Sequence, residues 1–209
     1  MTIKLVIFDF DGTLADSWPV FTDSLNGLAA RHGFRQVNPE GLDALRSKSA
    51  TEVLRELQLP LWKVPAVLSD FRKIMRQRIS EIEPFPNMAA VLHALLQQPV
   101  ELAIATSNSF ENVEAVLGRD LVRHFSTVEC GSSLFGKTHR IRRILKKTHV
   151  DRTQAIYIGD EIRDAEAAGR LGMSFGAVAW GYTEAEVLRR TNPYSLFQTP
   201  ADMLNLNRL

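Results

Sequence analysis

The sequence predicts an α/β protein: a doubly wound parallel sheet with an α-helical domain inserted into it. Short apolar runs rich in branched residues alternate with segments whose apolar residues recur at helical spacing. That alternation is typical of parallel strands joined by crossover helices. One interval, residues 16–84, breaks the rhythm because it contains helical patterns and no convincing strand.

The predicted strands and helices of the sheet domain follow one another along the chain. Strands are expected at 3–8, 101–106, 155–158 and 175–180, with a short one at 127–130. Helices are expected at 88–96, 110–117, 138–147 and 161–171. Because ligands of such sheets bind beyond the carboxyl ends of the strands, residues that follow a strand are the candidates for function.

The interrupting interval predicts a small helical bundle. Its helices are expected at 19–32, 39–47, 51–57 and 63–82, with Pro65 tolerated in the first turn of the last one. Pro84 and Pro86 discourage continuation of that helix, so hinges are expected at 15–19 and 83–86. The predicted division is a sheet domain of residues 1–15 and 85–209 and a helical cap of residues 16–84.

Composition excludes several classes of protein. The 209 residues are 45% hydrophobic and 23% charged, as in ordinary globular domains and unlike disordered or disulfide-rich chains. The net charge of +1 favours no particular partner, and the single Cys130 cannot form an internal disulfide. Asp9 and Asp11 interrupt the apolar start before a signal sequence could form, and no stretch reaches membrane-spanning length. We therefore expect a cytoplasmic protein without a membrane contact.

An acid pair directly follows the first apolar run. Asp9 and Asp11 flank one apolar residue, and that spacing in an extended strand puts both carboxylates on the same side. Gly12 allows the backbone to turn away just beyond them. Two such carboxylates repel each other unless a cation compensates them, so the pair indicates a metal or substrate site.

Three further polar groups occur at or beyond strand ends. Thr106, Ser107 and Asn108 end one strand and precede a helix whose free amides suit an oxyanion. Lys137 lies just ahead of another helix and can meet a phosphate or a carboxylate. Asp160 and Asp164 follow the strand at 155–158, and carboxylates of this kind favour Mg²⁺.

This ordered set of motifs resembles the haloacid dehalogenase superfamily, in its phosphoglycolate phosphatase-like branch with a helical cap between the first and second motifs. The resemblance covers nearly the whole chain and implies a Rossmann-like core. The matching residues, in motif order, are Asp9-Phe10-Asp11-Gly12-Thr13, then Thr106, then Lys137, and finally Gly159-Asp160 with Asp164.

The resemblance implies a mechanism and a set of roles. Asp9 would attack a phosphate monoester to form an aspartyl-phosphate, while Asp11 would protonate the leaving oxygen and then activate water. Mg²⁺ would be held by Asp9, the backbone carbonyl of Asp11, Asp160 and Asp164. The phosphoryl and substrate contacts would come from Thr106, Ser107, Asn108 and Lys137, with the cap residues Arg46 and Lys48 near the leaving group.

The expected function is therefore Mg²⁺-dependent hydrolysis of a small phosphorylated metabolite such as 2-phosphoglycolate, a sugar phosphate or a nucleotide. An intramolecular phosphomutase would use the same core, and a non-catalytic phosphate-binding module is the alternative from another class. Arg46 and Lys48 are equally well explained as exposed cations at a helix end. The basic run 137–152 suggests nucleic acid, but its apolar stripe of Ile141, Ile144 and Leu145 favours a solvated basic helix face instead.

Overall fold

The computed structural model describes residues 2–48, 50–131 and 136–207. Its main sheet has six parallel strands in the spatial order β5-β4-β1-β6-β7-β8. These strands are β1 (Leu5–Phe8), β4 (Glu101–Ala105), β5 (Thr127–Glu129), β6 (Ala155–Gly159), β7 (Ser174–Val178) and β8 (Ser195–Phe197). With helices packed on both faces, the sheet confirms the predicted fold class.

Ten α-helices are assigned in the described residues. Four lie in the insert: α1 (Trp18–His32), α2 (Pro39–Leu45), α3 (Ala50–Glu56) and α4 (Val64–Gln77). The others follow the strands of the sheet domain: α5 (Met88–Leu95), α6 (Phe110–Leu117), α7 (Arg119–Val122), α8 (Lys137–Thr148), α9 (Ile162–Leu171) and α10 (Ala185–Arg189).

Strand β1 lies at the centre of the sheet and determines where the functional residues meet. Leu5 pairs with Glu101 of β4 on one side and with Ala155 of β6 on the other, so all three strands are in register. The chain moves from β1 to one side of the sheet and later returns to the opposite side. This reversal of strand order opens a crevice at the carboxyl ends of β1, β4 and β6.

The alternation of side chains along β1 divides the core into two layers. Val6 and Phe8 face the layer that contains α5 and α6, whereas Leu5 and Ile7 face the layer that contains α8 and α9. All four side chains are fully buried. Because both faces of the strand are covered, its sequence is continuously apolar rather than alternating.

The inserted helices have an apolar cluster of their own. Leu25 and Leu28 of α1 pack with Leu57 and with Val67 of α4 in a cluster separate from those of the sheet. The cap boundaries at residues 16 and 84 stay a prediction, although the insert joins the sheet domain near both.

Two local expectations for this region were wrong. Residues 16–84 were expected to contain no strand, but β2 (Ala15–Asp16) pairs antiparallel with β3 (Glu83–Pro84), so the two expected hinges form a short ribbon. The helix expected at 63–82 is also divided. It consists of a 3-10 turn at Leu61–Lys63, then α4 and a second 3-10 turn at Ile79–Glu81, with Pro65 in the first turn of α4 as predicted.

Other differences are small. Helix α8 begins at Lys137 itself, so the lysine lies in the first turn rather than ahead of it. β8, α7 and α10 were not predicted. None of the helices in the described parts of the chain combines the length and apolarity needed to cross a bilayer.

Candidate active site

Asp9 and Lys137 meet at the crevice beside β1. Asp9 directly follows β1, and its amide donates to the carbonyl of Ile158 on β6, which fixes the backbone at the strand end. The Lys137 Nζ donates to Asp9 Oδ2 at 2.6 Å and also to Asp164 Oδ1. Asp9 and Lys137 are both buried. The Lys137 ammonium is the nearest positive charge to the carboxylates of Asp9 and Asp164. Burial lowers the pKa of Lys137, but the carboxylates of Asp164 and Asp9 outweigh it and raise the pKa overall.

Asp160 and Asp164 join the same cluster from β6 and α9. Asp160 Oδ1 accepts from the Thr13 hydroxyl at 2.8 Å, and its Oδ2 accepts from the Tyr182 amide at 2.8 Å. Asp164 Oδ2 accepts from the amides of Asp160 at 3.1 Å and Glu161 at 2.9 Å, which caps the start of α9. Both aspartates are fully buried.

The cluster concentrates negative charge in a desolvated place. Asp9, Asp160 and Asp164 each offer a carboxylate oxygen, and these oxygens lie within 4.8 Å of one another. Desolvation, with Glu161 and the neighbouring aspartates, raises the pKa of Asp160 well above its ordinary value. Desolvation also raises the pKa of Asp164 to about 6, despite the opposing effect of Lys137. An all-oxygen donor set whose mutual repulsion Lys137 offsets only in part fits a hard divalent cation such as Mg²⁺.

Asp11 lies on the side of the crevice that faces the inserted helices. Its Oδ1 accepts from the Ser17 hydroxyl at 3.1 Å, and the Asn108 side-chain amide lies 3.3 Å from both carboxylate oxygens. Desolvation and the charge of Asp9 raise the pKa of Asp11 to about 6, against the lowering effect of these hydrogen bonds. A carboxyl group with this pKa can either release or take up a proton near neutral pH.

Residues 106–108 form a tight turn between β4 and α6. The Asn108 amide donates to the Thr106 hydroxyl oxygen at 2.9 Å, and Asn108 Oδ1 accepts from the Ser109 amide at 3.0 Å and from the Asn112 side chain at 2.6 Å. Thr106 is fully buried, while Ser107 is half-buried and borders the cavities beside the site. Asn108 is therefore held rigidly where it contacts Asp11.

The structure places the two cap candidates, Arg46 and Lys48, differently. Arg46 donates through Nη2 to the carbonyl of Gly181 at 2.6 Å and stacks over the Trp18 ring, 5.5 Å from its centroid. Lys48 Nζ lies 3.1 Å from Glu56 Oε2 but still borders the cavity that reaches Asp11. Arg46 thus joins the insert to the sheet domain, and Lys48 is paired within the insert.

Sequence reasoning missed several residues that support the acids. Thr13 and Tyr182 hydrogen-bond to Asp160, and the Tyr182 hydroxyl lies 2.7 Å from the hydroxyl of Ser17. The segment Trp180-Gly181-Tyr182 follows β7, so the rule that function gathers beyond strand ends could have identified it.

The basic run 137–152 is partly neutralised. Arg143 and Lys147 of α8 pair with the buried Glu129 at 3.1 and 2.7 Å. Ile141 and Ile144 are fully buried against the sheet, as the apolar stripe predicted. This helix therefore packs as a structural element of the core with a charged outer face.

Comparison with known proteins gives a consistent set of similarities. The model of the haloacid dehalogenase-like hydrolases matches residues 6–178. The chain is 31% identical over 203 residues to the phosphoglycolate phosphatase of Synechococcus elongatus, covering 97% of this chain and 96% of that protein. It is 29% identical to the phosphoglycolate phosphatase of Agrobacterium fabrum, with 88% and 84% of the two chains covered.

Solved structures agree at the level of the fold. A haloacid dehalogenase-like family protein from Streptococcus pneumoniae superposes with a TM-score of 0.79 at 21% identity, covering 98% of each chain. At this identity the similarity concerns the fold alone. The arrangement of the sheet and its inserted helices is therefore shared with known structures.

Proposed function

Because this chain belongs to the haloacid dehalogenase-like hydrolases, we propose that it is a Mg²⁺-dependent phosphatase that hydrolyses a small phosphate monoester through an aspartyl-phosphate on Asp9. Its similarity to two phosphoglycolate phosphatases supports phosphatase activity. Phosphoglycolate, sugar phosphates and nucleotides are the substrates expected from the sequence, but the proposal itself leaves the leaving group of the ester open.

Asp9 is the attacking group. Lys137 contacts Asp9 Oδ2 at 2.6 Å, and the Asp9 amide is hydrogen-bonded to a carbonyl of β6. Both contacts fix the orientation of the Asp9 carboxylate. In the first step an oxygen of Asp9 forms a bond to phosphorus as the bond from phosphorus to the leaving oxygen breaks. In the second step water displaces Asp9 from phosphorus and releases inorganic phosphate.

Asp11 moves the proton in both steps. Its pKa of about 6 leaves a protonated fraction near neutral pH, and it borders the cavity in which a leaving group fits. Protonated Asp11 donates to the leaving oxygen, and the resulting carboxylate then removes a proton from the attacking water. Ser17 and Asn108 hold the carboxyl group in place for both transfers.

Asp9, Asp160 and Asp164 would hold the cation, with the backbone carbonyl of Asp11 as a further ligand. When bound, Mg²⁺ would neutralise these acids and offset the charge of the phosphoryl group. Thr13 and the Tyr182 amide each donate to one carboxylate oxygen of Asp160 and so fix the orientation of that side chain.

Lys137 and the turn after β4 would contact the phosphoryl oxygens. Lys137 contacts both Asp9 and Asp164, so its ammonium can keep Asp164 and exchange its contact with Asp9 for a phosphoryl oxygen. Thr106 and the amide of Ser107 lie in the segment between β4 and the N-terminus of α6, a terminus that favours an anion. Donors fixed in advance stabilise the transition state without a cost of reorganisation.

One observation favours this function above the rest: a buried cluster of three aspartates around a single lysine, next to a fourth acid whose pKa is raised to about 6. Burying so much negative charge costs stability unless a cation compensates it. A purely structural role does not explain that arrangement.

The test is release of inorganic phosphate from a panel of phosphorylated metabolites, with and without Mg²⁺. We expect release only with the metal, and Asp9→Asn should lose nearly all turnover because an amide is a poor nucleophile. Acid-quenched protein from the native chain should carry phosphate on Asp9 by mass spectrometry. Thermal unfolding of Asp9→Asn close to that of the native chain shows that the fold is intact, and turnover retained by this variant would contradict the proposal.

A further inference from the structure

A cavity extends from the proposed catalytic acids into the middle of the helical insert. Its volume is about 290 Å³. At one end it is bordered by Asp11, Ser107 and Asn108, and at the other by side chains from all four helices of the insert. A group that leaves phosphorus at Asp9 would therefore point into this space.

Aromatic rings surround the part of the cavity nearest the acids. Trp18 and Phe21 of α1 lie beside Tyr182, with ring centroids 5.1 and 5.9 Å from it. Phe21 also meets Phe71 of α4 edge to face at 5.6 Å. These rings form an apolar entrance between Asp11 and the interior of the insert.

The deeper part is lined by aliphatic side chains. Leu25 and Leu28 of α1, Val53 and Leu54 of α3, and Val67 of α4 all border it. An apolar cavity of about 150 Å³ is enough to bind benzene, so this one has room for a larger hydrocarbon group. A polar leaving group placed here would lose its water without gaining hydrogen bonds.

Three of the cations near this end are already engaged, while Arg72 of α4 also borders the cavity and has no ion pair among the described residues. Arg46 is directed to the Gly181 carbonyl and the Trp18 ring, and Lys48 pairs with Glu56. Arg163, which borders the entrance, pairs with Glu161. The carboxylate of phosphoglycolate would therefore have to break one of these contacts or be held by Arg72 alone.

We propose that the leaving group of the substrate is apolar, an alkyl or aryl alcohol whose hydrocarbon part occupies the cavity between α1, α3 and α4. This inference rests on the proposed phosphatase function. It identifies the leaving group of the ester, which the proposed function leaves open. The cavity selects the ester by burying its hydrocarbon part, and Asp11 protonates the oxygen at the entrance.

A series of linear alkyl phosphates from methyl to hexyl tests the inference. Their phosphate groups and leaving oxygens are alike, so differences in kcat/KM report contacts made by the chain. We expect kcat/KM to rise about fourfold for each added methylene until the cavity is full, as burial of apolar surface predicts. Hexyl phosphate should also exceed 2-phosphoglycolate and adenosine monophosphate.

Variants of α3 connect the effect to the cavity. Val53→Phe adds a ring to a half-buried position that borders the cavity, and it should reduce the ratio of kcat/KM for hexyl over methyl phosphate about tenfold. Leu61→Phe adds a ring at a position that is 75% exposed and outside the cavity, so it should leave the ratio unchanged. Binding of methyl- and hexylphosphonate by calorimetry gives a readout that needs no turnover.

The outcomes separate this inference from the proposed function. Equal kcat/KM for methyl and hexyl phosphate, or a preference for phosphoglycolate or the nucleotide, would overturn the apolar leaving group while leaving the phosphatase intact. Tighter binding of hexylphosphonate without hydrolysis of any ester would support the cavity and contradict the phosphatase. A ratio unaffected by Val53→Phe would also count against the cavity.

Discussion

At the scale of single residues, the lack of space around Asp160 explains why glycine occupies positions 12 and 181. A Cβ on Gly12 would lie 2.2 Å from Asp160 Oδ2, and Gly12 also has a positive φ of 75°. A Cβ on Gly181 would lie 2.1 Å from Asp160 Cβ and 2.5 Å from the Gly12 carbonyl oxygen. The backbone thus encloses the acid so closely that no side chain fits.

Gly181→Ala should therefore destabilise the protein, whereas Gly169→Ala should not. The first substitution forces the loop away from Asp160 and weakens the Tyr182 hydrogen bond, a cost of about 1–3 kcal/mol for overpacking. Gly169 is exposed on α9 and has open space around it, so alanine there should raise the free energy of unfolding by up to about 1 kcal/mol. Urea unfolding of both variants measures the two free energies, and equal effects would contradict the close approach.

Cys130 gives a second prediction at this scale. It is half-buried, and burial together with Glu111 and Glu129 raises its pKa from 9.0 to about 11. Since the thiolate is the reactive form, the folded protein at about pH 8 should react with iodoacetamide roughly a hundredfold more slowly than a thiol of ordinary pKa. The rate should rise with pH towards 11.

The unfolded chain is the control for this measurement. Cys130 is the only cysteine of the sequence, so the modified fraction reports on one site. Full reactivity should return in guanidinium chloride, where burial is lost. A folded protein that reacts as fast as the unfolded one would show that the thiol is not protected.

The motif residues could be predicted because one rule applies to them: functional residues follow the strands of a parallel sheet. Asp9, Thr106 and Asp160 each follow a strand that the apolar pattern indicated, and parallel strands end at one edge of the sheet. The strand-end rule could identify the segment that contains Tyr182, but the contacts of Thr13 and Tyr182 with Asp160 could not be predicted, since no periodicity relates positions so far apart in sequence. The family resemblance is confirmed, while the roles of the individual residues stay predictions.

At the scale of elements, the end of α2 is joined to the loop after β7. The Arg46 side chain donates to the Gly181 carbonyl, and its backbone carbonyl accepts from the Glu184 amide at 2.9 Å. Arg46 also stacks on Trp18 of α1. These contacts hold the insert over the crevice next to the segment that binds Asp160.

Arg46→Ala should lower kcat/KM about tenfold, the loss expected for one hydrogen bond from a charged group. Because the contact is made within the protein, the loss should be the same for substrates with and without a carboxylate. Arg55→Ala, which removes an exposed arginine of the same insert, is the matched control and should have little effect. A loss confined to phosphoglycolate would show instead that Arg46 binds the substrate.

The elements that escaped prediction are short or change helix type. β2 and β3 have two residues each and β8 has three, too few for an alternating pattern to appear. Ile79 and Ile82 continue the spacing of α4, but the backbone leaves the α-helix at Arg78 and forms a 3-10 turn. The apolar spacing does not distinguish the two helix types over so short a segment.

At the scale of the whole molecule, residues distant in sequence assemble one charged cluster. Asp9 comes from the first strand, Lys137 from α8, and Asp160 and Asp164 from the region of β6 and α9. Without a divalent cation, Lys137 is the nearest counter-charge to Asp9 and Asp164, and the pKa of Asp160 stays raised. The folded state therefore has an electrostatic cost that metal binding would remove.

Mg²⁺ should raise the melting temperature of the native chain, and should raise it less for Asp160→Asn. A ligand that binds only the folded state stabilises it by about 2.7 kcal/mol at a hundredfold excess over Kd, and a neutral amide weakens that binding. Asp120→Asn alters an acid whose side chain is 91% exposed, so this control should shift as the native chain does. The scans compare EDTA with MgCl₂ at matched ionic strength, so that screening cannot account for the difference. Equal shifts in the native chain and Asp160→Asn would contradict the assignment of Asp160 as a metal ligand. No shift in any of the three proteins would contradict metal binding itself.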